Sequence, residues 1–196
     1  MSADAPSALV EDWFGAAFAQ LHPLLQSLHR HGGVLRGPVE VSLGRGVARW
    51  LGRIATGRLG LLPAPARNQL QVVVVVDDSA LRWSRSFNGG PVLQSVFVPV
   101  GRFPTGFWRE ETGPATATLG VEIRGESWYW MPRSIRLRGT LLPIWLAPKV
   151  QAGKSVVDGR YEFSVRISLP VVGQVLSYRG SLSLVPTDES ASCARP

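Results

Sequence analysis

The chain has 196 residues, 45% hydrophobic and 18% charged, a balance that fits one folded domain with a real core and excludes a disordered polyelectrolyte. Its net charge of +7 comes from nineteen arginines and two lysines scattered along the whole length, whereas a nucleic-acid reader gathers its cations in a stripe or a motif, so nucleic acid is not an expected partner. The single cysteine, Cys193, excludes a disulfide framework and a thiolate metal site. With no basic leader, and with Glu11 and Asp12 interrupting the first apolar stretch, neither a signal peptide nor a membrane span is expected, which predicts a soluble cytoplasmic protein.

One domain is expected over residues 1–186, with residues 1–6 a disordered lead-in and residues 187–196 a disordered polar tail. Ser7 is a candidate helix N-cap, and Glu11 and Asp12 stand in the early turns, where the helix dipole favours acids. Leu9, Val10, Trp13, Phe14, Ala17, Phe18 and Leu21 recur at helical spacing. Pro23 should kink or break that helix near His22, and Leu24, Leu25 and Leu28 carry a short second helix that Gly32-Gly33 ends. These helices either pack on a sheet or lie as a lid over a cavity. Leu35, Val39, Val41 and Leu43 alternate with polar or small residues, the pattern of a half-buried strand. Gly44-Arg45-Gly46 then turns into a helix from Val47 to about Leu59, with Val47, Trp50, Leu51 and Ile54 as its expected apolar side. Arg45, Arg49, Arg53 and Arg58 give it positive charge that no acid in the helix offsets. That surface is either a solvated face or a dock for an acidic partner or an anionic membrane. Gly60 to Asn68, with Pro63 and Pro65, is a short connector.

The chain centres on the stretch from Gln69 to Val100. Val72 to Val76 has no polar alternation, which predicts a strand covered on both faces. Asp77-Asp78-Ser79-Ala80 is a turn, and in the next strand Leu81, Trp83, Arg85 and Phe87 share one face while Arg82, Ser84 and Ser86 share the other. Asn88-Gly89-Gly90-Pro91 makes a hairpin loop into a third strand, Val92 to Val100. Gly101 to Gly113 reads as a loop or short edge strand rich in rings. Thr116 to Arg124 alternates, with Ala117, Leu119, Val121 and Ile123 on one face. Trp128 and Trp130 share a face of the following strand, in which Pro132 marks an edge or a bulge. Leu141 to Pro148 is an apolar, proline-bounded segment expected to plug one end of the sheet. Val150 to Val157 and Arg160 to Leu169 bracket Asp158-Gly159 as a hairpin, with Tyr161, Phe163, Val165, Ile167 and Leu169 inward and Glu162 and Arg166 outward, and a last strand runs from Gln174 to Val185. Eight or nine strands joined by short turns predict an α+β fold. Its core would be a large curved antiparallel sheet or barrel-like meander with the N-terminal helices packed against it.

Several stretches, taken in order, resemble the uncharacterised bacterial family known as domain of unknown function 4166. They are Leu28-His29-Arg30, Gly44-Arg45-Gly46, Trp83-Ser84-Arg85-Ser86-Phe87-Asn88-Gly89-Gly90, Gly113-Pro114, Leu142-Pro143 with Leu146-Ala147-Pro148, and Asp158-Gly159-Arg160-Tyr161-Glu162-Phe163 through Leu169-Pro170 to Tyr178-Arg179-Gly180. The resemblance runs from about Leu21 to Leu182, with departures at Leu81 and Thr112. It transfers no catalytic residue. In some relatives the domain is joined to an NAD(P)-dependent dehydrogenase of the saccharopine-dehydrogenase-like type, and this chain has no G-x-G-x-x-G after a strand. The resemblance therefore implies a discrete module that can work beside an oxidoreductase; the missing motif predicts no nucleotide fold of its own, and no cofactor is expected.

Arg85 is the leading candidate for a binding residue. If Trp83 and Phe87 face inward the guanidinium does too, and leaving it unpaired would cost several kcal/mol. Its partner is either an internal carboxylate such as Glu122 or Glu162, or backbone carbonyls, or a ligand carboxylate or phosphate gripped by the planar fork. Trp83, Phe87, Trp128 and Trp130 are candidate walls. His22, His29 and His31 lie close together, yet no acid or thiol nearby completes a metal site, and none is expected. For catalysis the candidates are Glu122, Glu162, His29 and Tyr178, none singled out by spacing, and no nucleophile elbow or P-loop is present. Three readings follow: a domain enclosing a small, largely apolar or anionic molecule; a cofactor-free isomerase, cyclase or hydrolase using a carboxylate or histidine in the same cavity; and an interaction module that docks on a dehydrogenase through the helix at 45–58.

Overall fold

A computed structural model of the protein describes residues 7–59, 61, 67–143 and 145–186, without the side chains of Arg58 and Leu59. The lead-in, the tail and most of the connector lie outside the described residues. Three α-helices, α1 (Leu9–Phe14), α2 (Pro23–His31) and α3 (Val47–Leu59), and a 3-10 turn (Gly15–Gln20) accompany eleven strands. These are β1 (Gly33–Leu43), β2 (Asn68–Val76), β3 (Leu81–Phe87), β4 (Val92–Val100), β5 (Phe107–Thr112), β6 (Ala115–Arg124), β7 (Ser127–Leu137), β8 (Thr140–Leu141), β9 (Lys149–Val157), β10 (Arg160–Leu169) and β11 (Gly173–Leu184). All neighbours pair antiparallel in the order β6-β5-β4-β3-β2-β1-β11-β10-β9-β7, and β6 pairs with β7. Ten strands therefore close into a barrel, and the two-residue β8 hangs outside it on β7. The predicted α+β architecture with a barrel-like sheet is the one observed. The additions to the predicted strand count are β8 and Phe107–Thr112, which is a paired wall strand.

Closure explains why the valine run is covered on one face only. A barrel wall is a single layer, so Val72 and Val74 are buried toward the interior while Val75 is 49% exposed on the outside. In β7 the pairing with β6 shifts register beside Pro132, leaving Arg133 as the extra residue of a bulge.

The helices close one end. Because the sheet is antiparallel, the β2–β3, β4–β5 and β6–β7 connections all emerge at the same rim, and the N-terminal segment is tied to each. Ser7 Oγ donates to Asp77 O, Phe103 N–H donates to Trp13 O at 2.9 Å, and His22 N–H donates to Glu126 O at 3.1 Å. Gly15, at φ +56°, ends α1 well before Pro23. Pro23 opens α2 instead of breaking a helix, and His22 caps it by accepting the Leu24 N–H at 3.1 Å. Beneath this cap Trp13, Phe14, Phe18, Trp108 and Trp128 fill the barrel with rings.

α3 lies on the outer wall against β11 and β1, and of its predicted apolar side only Leu51 packs against the core. Ala48, Gly52 and Thr56 are buried, while Val47 is 66%, Trp50 63% and Ile54 40% exposed. A close approach decides the choice, because a Cβ on Gly52 would stand 2.5 Å from Val175 O. In the segment before β9, Pro148 lines the barrel interior, Leu141, Trp145 and Leu146 are half exposed or more, and Ile144 is outside the described residues. No helix among the described residues is long and apolar enough to cross a membrane.

Candidate functional site

Small inward-facing residues hollow out the half of the barrel away from the helices. Ala115 and Ala117 of β6 and Ala152 of β9 line a cavity of about 390 Å³, within the size range of small-molecule sites. Apolar chains from β2, β10 and β11 complete most of its wall, and two polar clusters interrupt it.

The first cluster surrounds Arg85. Strand alternation points Arg85 inward between Trp83 and Phe87, and Trp83 and Arg85 line the cavity while Phe87 is packed in the core against Tyr178. Arg85 Nη2 donates to Ser95 Oγ, which hydrogen-bonds Thr112 Oγ1, and Thr112 Oγ1 donates to Glu110 Oε1 at 2.9 Å. Glu110 Oε1 also stands 3.9 Å from Arg85 Nη2. The acid facing Arg85 is thus Glu110, from the stretch expected to be an edge strand or loop. Glu122 pairs with Arg124 on the surface, where that hydrogen bond holds its carboxyl below the usual range. Glu162 alternates outward between Tyr161 and Phe163. Neither reaches the cavity. Arg85 Nε–H and Trp83 Nε1–H are buried donors with no hydrogen-bond acceptor among the described residues. Tyr178 and Tyr161 also line the cavity, and burial raises the pKa of both phenols, with Arg85 pulling the other way.

The second cluster is Lys154 with His29. In β9 the inward phase is Val150, Ala152, Lys154 and Val156, so the ammonium-bearing chain enters the cavity and is 3% exposed. Its Nζ lies 3.6 Å from the ring centroid of Trp128, 4.8 Å from Trp83 and 5.5 Å from Trp130. His29, fully buried on α2, stacks on Trp128 with centroids 4.8 Å apart. Its Nδ1 is 2.6 Å from Leu25 O, which can only accept, so the proton sits on Nδ1 and the Nε2 lone pair is free to accept from Lys154 Nζ at 2.6 Å. Burial lowers the pKa of Lys154 well below its ordinary 10.5, and burial followed by the neighbouring Lys154 lowers that of His29 well below 6.5. Cation–π contacts with the rings favour the charged amine by about 0.5–2 kcal/mol each. Removing an ammonium from water costs several kcal/mol, and no ion pair with Lys154 forms among the described residues to offset it. The amine is therefore held toward its neutral form.

Trp130 lines the cavity and Trp128 lies beneath, packed against Phe14 and Trp108. His22, His29 and His31 do not converge, since His22 caps α2 and His31 is an exposed residue hydrogen-bonded to Ser27 O. No group of three metal-ligating side chains occurs among the described residues. Arg45, Arg49 and Arg53 are exposed around α3, and the Arg58 side chain is outside the described residues.

Lys154 and Glu110 are the cavity residues that sequence reasoning passed over. Lys154 was within reach: it falls on the inward phase of an alternating strand and is one of two lysines in a chain with nineteen arginines.

A family model described as a domain of unknown function, DUF4166, matches residues 21–182, most of the chain. That span contains both polar clusters and leaves α1 outside. The chain belongs to this family. None of the curated proteins compared with it matches.

Proposed function

We propose that this DUF4166 barrel binds a small molecule with an apolar body and an anionic head, the head gripped by Arg85. The observation that carries the reading is a guanidinium inside an apolar cavity whose Nε–H, beside the Trp83 Nε1–H, has no acceptor among the described residues. A buried donor left without an acceptor costs about 1–3 kcal/mol, which a ligand oxygen would recover. Glu110 offsets part of the charge and, through Thr112 and Ser95, fixes the fork's orientation. An anionic head therefore meets a preset donor array.

Calorimetric titration with decanoate and with decan-1-ol tests this. The parent should bind decanoate about tenfold or more tightly than the alcohol, since a charge-assisted hydrogen bond contributes about 1.5–3 kcal/mol. Arg85→Gln should bring the two to parity, and Arg85→Lys should restore only part of the preference because it lacks the fork. Equal affinities in the parent would contradict the reading.

A second reading concerns α3. Val47, Trp50 and Ile54 are exposed at i, i+3 and i+7, with Arg49 and Arg53 beside them, an apolar ridge with basic flanks. This arrangement supports peripheral contact with an anionic membrane surface, from which an apolar ligand could be collected.

A further inference from the structure

Of the three charged side chains that line the cavity, all but one pair with each other and belong to the anion-binding reading. The exception is the Lys154 amine, which faces a histidine lone pair where an acid would ordinarily stand. We infer that Lys154 is a nucleophile that forms an imine with an aldehyde or ketone carbonyl of the molecule in the cavity, with His29 moving the proton.

The geometry supports each part. Lys154 lines the same cavity as Arg85, and the Trp83 ring that its Nζ overlies belongs to the residue two positions before Arg85 in β3. A ligand held by its head at Arg85 thus extends its body toward the amine. Trp83, Trp128 and Trp130 keep the nitrogen in an apolar box, where the uncharged amine retains its lone pair. Lowering of the amine's pKa by burial acts in the same direction. The Leu25 carbonyl holds the His29 proton on Nδ1, so Nε2 is the atom that can accept one.

The step balances without a redox partner. The Lys154 lone pair attacks the carbonyl carbon, a C–N bond forms, and the C=O π pair moves to oxygen. His29 Nε2 takes a proton from the nitrogen and returns it to the alkoxide, giving the hydroxyl of a carbinolamine, and then carries the second nitrogen proton to that hydroxyl. Water then leaves with the C–O bonding pair as the C=N bond forms. One water is the only by-product, and it would be returned on hydrolysis.

The inference rests on the cavity reading, and the test separates the two. Decanal is incubated with the full chain and sodium cyanoborohydride, and the site and rate of reductive alkylation are read by peptide mass spectrometry from pH 6 to 9. The other lysine, Lys149, is exposed and serves as an internal reference. The expected result is alkylation of Lys154 at least tenfold faster than Lys149 at pH 7, with the advantage growing as pH falls. Lys154→Met should abolish the adduct. His29→Gln keeps a polar side chain but loses the imidazole, and should slow the reaction and change its pH profile. Alkylation of Lys149 at a rate equal to or above that of Lys154 overturns the inference. If decanoate binds and no Lys154 adduct forms, the amine's role fails and the cavity stands; if decanoate does not bind and no adduct forms, both fail.

Discussion

Lys154 is a side chain held where its charge is least welcome, and that has a measurable consequence for stability. In the unfolded chain the amine titrates near 10.5, and in the folded chain burial lowers that value. Below pH 10.5 folding must therefore release a proton, and each pH unit down to the folded value costs about 1.36 kcal/mol. The sign is the same for His29, whose lowered pKa adds a loss of stability as the pH falls below 6.5. Lys154→Met keeps the length and fills the aromatic box without a charge. Thermal denaturation should show a higher midpoint for this variant at pH 7, at about 2–4 °C for each kcal/mol, with the gap narrowing as the pH rises toward 10. A gap independent of pH would mean that the amine is charged in the folded state. Arg85 is the opposite case, because Glu110 offsets part of its charge and Ser95 accepts a hydrogen bond from its fork. Its inward direction was legible from alternation with Trp83 and Phe87. Its partner was not, since pairing Ser95 with Thr112 across two strands is a matter of register, which sequence does not print.

At the scale of elements, α3 shows how close packing overrides an apolar stripe. The periodic residues Val47, Trp50, Leu51 and Ile54 offered the larger apolar face, but the wall at Val175 admits a helix only along its smallest side, Ala48 and Gly52. Val47, Trp50 and Ile54 were left outside, and of the four only Leu51 packs against the core. Each arginine near an anionic surface contributes about 1 kcal/mol of attraction, and reversing two of them adds repulsion. In vesicle flotation at physiological salt, the parent should bind phosphatidylserine-containing liposomes and not phosphatidylcholine ones. Arg49→Glu/Arg53→Glu and Trp50→Ala should each weaken that binding, the double variant by tenfold or more. None of these side chains is buried, so the melting temperature should not move. Parent protein that floats with neither lipid would end the membrane reading. The N-terminal helices teach a related lesson: Trp13, Phe14 and Phe18 announced a buried face, and which barrel end they close depends on ties to Asp77, Phe103 and Glu126 far along the chain.

For the whole molecule, the strands and their phases were readable because turn residues punctuate nearly every one, as at Asn88-Gly89, Gly125-Glu126 and Asp158-Gly159. Closure was less so. It depends on β6 pairing with β7 on one side and β5 on the other, and on β7 reaching β9 past an intervening loop. A hollow was expected, but its place was not legible: Ala115, Ala117 and Ala152 read as ordinary strand residues, and only their convergence on one cavity inside a closed wall leaves room for a guest. Two polar clusters in that room, one fixed and one strained, are what distinguish it from a packing defect. The most direct measurement of the cavity as the binding site is a titration of 1-anilinonaphthalene-8-sulfonate, an apolar body with an anionic head, against the parent and Ala117→Phe. The parent should bind one equivalent. The variant, whose added ring occupies the cavity, should lose at least tenfold in affinity while still unfolding cooperatively. Unchanged affinity and stoichiometry in Ala117→Phe would place the binding elsewhere on the molecule and contradict the account.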